Sequence, residues 1–104
     1  MILYLSGQMS GKKDLNRPLF YRTAKKLRVA GHIVINPPEL DKREPKQDWN
    51  SCLKRDLKWV VSLADGIATL PNWKKSRGAN LEVYVAKAVG IPVHTYQYYL
   101  KRKI

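Results

Sequence analysis

The sequence predicts a three-layer α/β domain: a four-stranded parallel sheet with helices on both faces. The first observation is a set of short, nearly continuous apolar runs, Ile2–Ser6, Ile33–Ile35 and Ile67–Leu70, the pattern of strands buried on both sides. The second is what lies between them: stretches of apolar residues at helical spacing, each with a start and a stop signal. The third is their order, βαβαβαβ, which makes every strand-to-strand connection a helical crossover.

The elements follow in turn. Ile2–Ser6 is the first strand, closed by Gly7, and the polar stretch Gln8–Asn16 reads as a loop. Asn16-Arg17-Pro18 starts a helix over residues 17–30, since Asn caps and Pro suits the first turn. Phe20, Ala24, Leu27 and Ala30 form its inner face, and Gly31 ends it. Ile33–Ile35 is the second strand, stopped by Asn36-Pro37-Pro38, and Glu39–Gln47 reads as a charged loop. Asp48 caps a second helix with Trp49, Cys52, Leu53, Val60, Leu63 and Ala64 as its apolar stripe and Lys54, Arg55 and Lys58 off it. Ile67–Leu70 is the third strand. Ser76 caps a third helix with Ala79, Val83, Ala86 and Val89 facing inward and Gly90 at its end. Ile91–Thr95 is the fourth strand, and residues 96–104 form a basic, aromatic tail of a single domain spanning 1–104.

Right-handed crossovers leave few arrangements. The expected strand order is 2-1-3-4, a small flavodoxin-like, Rossmann-like sheet. Such sheets take ligands beyond the strand C-termini, at the switch point between the first and third strands. The loops Gly7–Gly11 and Pro71–Arg77 therefore face one crevice.

Composition narrows the function. The chain has 104 residues and a net charge of +12, which favours anionic partners: nucleotides, nucleic acid or an acidic surface. The basic residues are spread along the chain, as they also are on an ordinary solvated surface. No run is long enough for a membrane helix. One cysteine, Cys52, fits a reducing cytoplasm and leaves no intramolecular disulfide. Two distant histidines and one cysteine make no metal-ligand cluster, and no cofactor is implied.

Two carboxylates stand out. Glu82 lies three residues after Ala79 and four before Ala86, on or beside the buried face of its helix. It reads either as a first-turns acid favoured by the helix dipole or as a nucleophile or general base at the crevice. Asp56 interrupts an apolar stripe, where an unpaired carboxylate is costly. A basic neighbour or a loop amide satisfies it, or it meets a ligand hydroxyl or serves as a second catalytic carboxylate. Tyr4 is either core or a hydrogen-bond partner of Glu82. Gly7, Met9, Ser10 and Gly11 belong to a loop whose glycines permit close backbone approach, without the spacing of a phosphate-binding fingerprint. Ser76, Arg77 and Gly78 open the third helix, where Ser76 is a plain cap or part of an anion site. Trp73 stacks on a base or covers the crevice. Asp65 reads as a turn residue, and His32 and His94 as strand-flanking residues.

Together, Tyr4-Leu5-Ser6-Gly7-Gln8-Met9-Ser10-Gly11, Ile35-Asn36-Pro37, Arg55-Asp56-Leu57, Ala64-Asp65-Gly66-Ile67, Trp73, Ser76-Arg77-Gly78-Ala79 and Glu82 resemble, in order and spacing, the nucleoside 2-deoxyribosyltransferase superfamily. The likeness is nearest to its short phage- and prophage-associated members. It implies that Glu82 is the nucleophile that attacks the anomeric carbon, that Asp56 contacts the sugar hydroxyl and that Tyr4 positions Glu82. One branch, the 2′-deoxynucleoside 5′-phosphate N-hydrolases, binds phosphate through a serine six residues before the nucleophile, the spacing of Ser76. That tilts the expected substrate toward a deoxynucleoside 5′-monophosphate over a free nucleoside. The resemblance also implies a homodimer or higher homo-oligomer in the cytoplasm, the host's if phage-encoded. Superfamily enzymes usually continue past the fourth strand into further elements that shape the base pocket. The contrasting expectation is a catalytically inactive basic relative that binds nucleic acid, a host protein or a nucleotide, with the tail Tyr96–Lys103 offering rings to bases.

Overall fold

The computed structural model describes residues 1–102. Four parallel strands, β1 (Ile2–Ser6), β2 (Ile33–Ile35), β3 (Gly66–Thr69) and β4 (Val93–Thr95), form one sheet in the order β2-β1-β3-β4. The expected 2-1-3-4 arrangement is therefore the observed one. β1 is central: Tyr4 lies opposite Ile35 of β2 and Ile67 of β3, and Ser6 lies opposite Thr69. Five helices surround the sheet: α1 (Arg17–Val29), α2 (Pro37–Arg43), α3 (Trp49–Leu63), α4 (Arg77–Ala88) and α5 (Tyr96–Leu100).

The two-residue period of β1 divides the core. Leu3 and Leu5 pack with Phe20, Ala24 and Leu27 of α1 and with Tyr99 of α5. Tyr4, on the other face, packs with Leu40 of α2, Val60 of α3, and Val83 and Ala86 of α4. Each fully buried aliphatic side chain contributes about 1.5–3 kcal/mol. Asp65, expected in a turn, accepts the Ile2 N–H at 2.8 Å and fastens the entry of β3 to the start of β1.

Several elements differ from the sequence expectation, each for a local reason. α2, Pro37–Arg43, takes in the first part of the stretch read as a charged loop, Glu39–Gln47. Pro37 and Pro38 stop β2, but a proline in the first turn also suits a helix, and Glu39 adds a first-turn acid. Arg28 of α1 grips Glu39 with two bonds of 2.9 Å, which ties α2 down. Asn16 does not cap α1. It sits in the left-handed region with Asp14 and Leu15, and its Nδ2 donates to the Gln8 carbonyl at 2.8 Å. Three consecutive left-handed L-residues cost roughly 1–2 kcal/mol each. Asp48 and Ser76 do cap, accepting the N–H groups of Ser51 and Ala79 at 2.8 and 3.1 Å.

The stripe of α3 is also rearranged. Trp49 and Leu63 are exposed, whereas Arg55, assigned to the outer side, is buried. On α4, Val89 is exposed and lies past the last helical residue, where Gly90 takes φ +82°. The tail is structured over its first five residues as α5. Tyr99 is 1% exposed, and its carbonyl lies 3.1 Å from Nε2 of His32. Tyr98 stacks on His94 and lies beneath the Arg102 guanidinium. Tyr99 is engaged in the core, and Tyr96 and Tyr98 are half-buried. The basic end of the tail at Lys103 and Ile104 lies outside the described residues. No described helix is long and apolar enough to cross a membrane.

If α5 is part of the core, Tyr99→Ala should cost about 3–5 kcal/mol in urea unfolding, the range for emptying a buried aromatic site. A loss below about 0.5 kcal/mol would mean that α5 is a peripheral appendage.

Candidate functional site

Glu82 occupies the second turn of α4, on the face that packs against β1, and is 6% exposed. Strand geometry sends Tyr4 and Ser6 to that same face, two residues apart. The Tyr4 hydroxyl donates to Glu82 Oε2 at 2.7 Å, and the Ser6 hydroxyl donates to Oε1 at 2.8 Å. Each carboxylate oxygen thus has one hydroxyl donor and no salt bridge. Burial pushes the Glu82 pKa up to about 8, against the pull of the two hydroxyls. Burial, and then the nearby Glu82 charge, also hold the Tyr4 phenol well above its ordinary value, so it remains a proton donor.

Glu82 lines a cleft of about 190 Å³. Asp56 of α3 lines the same cleft, so the two carboxylates that stand out in the sequence share one cavity. Gly7, Met9 and Ser10 border it from the loop after β1, and Ser76 and Gly78 from the start of α4. This is the crevice at the strand C-termini where β1 and β3 are neighbours and their crossovers diverge. Gly7 has a packing reason besides any ligand: a Cβ there would lie 2.8 Å from that of Leu70.

Other predicted residues sit elsewhere. Trp73, expected over the crevice, packs against the Tyr4 side of the core. Gly11 is exposed, in a left-handed turn, and does not border the cleft. Arg77 is exposed too, and its guanidinium lies 4.3 Å from the ring centroid of Trp49. Trp49 does border the cleft, so Arg77 links the starts of α3 and α4 at its margin.

Three residues of the site were not singled out from sequence. Ser6 carries a signal that was available, the i, i+2 relation to Tyr4 on a strand. For Arg55 the signal is its place beside Asp56, as the basic neighbour expected to satisfy that carboxylate; Asp41 carries none, because α2 is not legible in the sequence. Arg55 donates through Nε to Asp56 Oδ1 at 2.9 Å, through Nη1 to the Glu44 carbonyl at 3.0 Å and through Nη2 to Asp41 Oδ1 at 2.8 Å. Burial raises the Asp56 pKa, and the Arg55 charge opposes that rise. Among the described residues, no group of three or more His, Cys, Asp or Glu could hold a metal ion.

Chemically, the arrangement is a shielded carboxyl group with both oxygens oriented, beside a second carboxylate, at the foot of a cleft that admits a small molecule. Such a carboxyl favours its neutral form at pH 7. It ionises to advantage only when positive charge develops next to it.

The displacement of the Glu82 pKa also bears on stability. Its folded value of about 8 lies above the unfolded 4.5. The resulting stabilisation is complete below pH 4.5 and is lost as the pH rises through 8. Glu82→Gln, which cannot ionise, should equal wild type near pH 4.5 and exceed it by a few kcal/mol at pH 8.5, at about 1.4 kcal/mol per pH unit between the two pKa values. Chemical denaturation at the two pH values measures this. Equal stability at both would mean that Glu82 is not buried in its neutral form.

No curated protein and no solved structure matches the chain. Residues 1–95, which include every side chain of the cleft, match one family model, described as a domain of unknown function (DUF4406), and the chain belongs to that family.

Proposed function

We propose that the protein cleaves, or transfers across, the N-glycosidic bond of a 2′-deoxynucleoside 5′-monophosphate or deoxynucleoside, with Glu82 as nucleophile. The observation that carries this reading is the Glu82 carboxyl, buried at the cleft, aligned by Tyr4 and Ser6 and without a cationic partner. The family model carries no activity. The link to the nucleoside 2-deoxyribosyltransferase superfamily rests on the motif order of the sequence and agrees with the strand order of the sheet.

Breaking an N-glycosidic bond places positive charge on the sugar ring. A carboxylate in a low-dielectric site stabilises that charge and can trap the sugar. In the proposed reaction an oxygen of ionised Glu82 bonds to C1′ while the C1′–N bond breaks and its electron pair leaves with the base, which takes up a proton from solvent. Water or a second base then bonds to C1′ and gives up a proton to solvent, while the C1′–O bond to Glu82 breaks and its electron pair returns to the carboxylate. Tyr4 and Ser6 hold the carboxylate in line with C1′, and orientation of this kind supplies several kcal/mol. Asp56 receives a sugar hydroxyl. The start of α4 at Ser76, with the positive end of the helix dipole and the nearby Arg77, suits a 5′-phosphate. The net charge of +12 supports a second reading, a relative that binds nucleotide or nucleic acid without turnover.

A panel of deoxynucleosides and their 5′-monophosphates tests the first reading by release of free base. Wild type should release base from at least one member, with kcat/KM rising with pH toward a plateau above the Glu82 pKa of about 8. Glu82→Ala should lose at least about 10³-fold in kcat. No release at high enzyme, with ligand-dependent thermal stabilisation intact, would replace the enzyme with the binding protein.

A further inference from the structure

The buried guanidinium of Arg55 is the feature of the cleft that the proposed mechanism leaves unused. The residue is 5% exposed, and all three of its nitrogens donate. Two of those bonds, to Asp41 and to the Glu44 carbonyl, reach the end of α2 and the residue that follows it. They clamp α2 to α3 and fix the cleft wall that carries Asp41.

The bonds to Asp56 are of another kind. Asp56 is the next residue in the same helix, so an ion pair between the two joins no separate parts of the fold. Successive helical residues point about 100° apart and do not normally face each other. Here Arg55 nevertheless turns back, and both Nε and Nη2 meet Asp56, at 2.9 and 2.8 Å. Both contacts fall on Oδ1. Oδ2 is left outside the ion pair, on a residue that borders the cleft. What these contacts fix is the orientation of one carboxylate.

We infer that Arg55 is a positioning residue for the proposed reaction: it holds Asp56 ionised by its Oδ1, presents Oδ2 to a sugar hydroxyl, and ties that orientation to the α2 wall. This rests on the reading of the cleft as a glycosidic site. Charge arithmetic gives the physical reason. Asp41, Asp56 and Glu82 border one small cleft, and Arg55 is the cation among them. Tyr4 of β1 and Cys52 of α3 are the other titratable groups near Asp56, and both are held neutral by pKa values raised through burial. With Arg55 in place, Asp56 can carry a charge at a pH where Glu82 is still largely neutral, and Glu82 attacks from its ionised fraction. Without it, burial and the Asp41 charge push Asp56 toward its neutral form against the Tyr4 hydroxyl alone, and the neutral form donates a proton where the sugar hydroxyl needs an acceptor.

The test uses Arg55→Gln, Arg55→Lys and Asp41→Asn in the full chain, with two readouts. Carboxyl ¹³C NMR titration of Asp56 needs no substrate, so it reports even if no base is ever released. The midpoint should rise by at least about one pH unit in Arg55→Gln. Arg55→Lys keeps the charge and should hold most of the midpoint, and it stands in should Arg55→Gln fail to fold. Base release gives the second readout. Arg55→Gln should lose roughly 10²-fold in kcat with KM within a few-fold, and its pH limb should move upward. Arg55→Lys, which loses the two-point grip on Oδ1, should lose kcat without that movement. Asp41→Asn weakens one of the two ties to α2, leaves the contacts with Asp56 in place, and should raise KM while leaving the pH limb in place. A clamp with no role in orienting Asp56 predicts otherwise: an unmoved Asp56 midpoint in folded Arg55→Gln, or matching kinetic losses in Arg55→Gln and Asp41→Asn. Either result overturns the inference. Absence of base release by wild type would instead overturn the glycosidic reading and leave the NMR result to decide the role of Arg55 in holding Asp56 charged.

Discussion

The two hydroxyl hydrogen bonds to Glu82 are the constraint on which the rest of the site depends. A carboxyl group that is 6% exposed and has no cation on it is an expensive thing to keep in a small domain. It is tolerated because β1 brings two hydroxyls to it at 2.7 and 2.8 Å, one for each oxygen. That needs a tyrosine and a serine two residues apart on the central strand. It also needs α4 to cross the same face of the sheet in the right register. The cap at Ser76 sets where α4 begins, and hence which residue of its second turn meets β1. Strand order, cap and alternation along β1 thus converge on a single side chain.

The remainder of the cleft manages charge. Three carboxylates border it, and one buried arginine stands among them. The fold treats them unequally: Asp56 and Asp41 share Arg55, whereas Glu82 receives neutral donors only. Burial raises the pKa of both Glu82 and Asp56, but only Asp56 has a guanidinium bonded to it, an asymmetry of the kind by which a site divides acidic roles. The opposite face of the sheet shows none of this. It is filled by Leu3, Leu5, Phe20, Leu27 and Tyr99, and its contribution is to hold β1 in place.

The legibility of the sequence follows the physics of each element. The strands and the frame of the three long helices could be read, because buried parallel strands are continuously apolar and the caps Asp48 and Ser76 are local signals. Glu82 and Asp56 could be read because each is a charge where the helical period calls for something apolar. α2 could not be read. It is a short helix with two prolines and four charged residues, stabilised by a long-range grip from Arg28 that no local pattern encodes. The burial of Arg55 was hidden for the same reason, since it depends on acceptors that α2 supplies. α5 was mistaken for a tail because its anchoring is tertiary, through Tyr99. Its loop position points Trp73 at the crevice, but packing holds it against the Tyr4 cluster on the same face, outside the cleft lining.

The central claim is that Glu82 becomes covalently attached to a sugar. Intact-mass spectrometry with peptide mapping, after incubation with 2′-deoxy-2′-fluoroarabinosyl nucleoside monophosphates, tests it most directly. The fluorine slows release of the trapped sugar by disfavouring positive charge at C1′. The account predicts an adduct of one fluorinated sugar phosphate, located on the peptide that contains Glu82 and absent from Glu82→Gln. An adduct on another residue, or base release from these analogues with wild type unmodified at every time point, would contradict it.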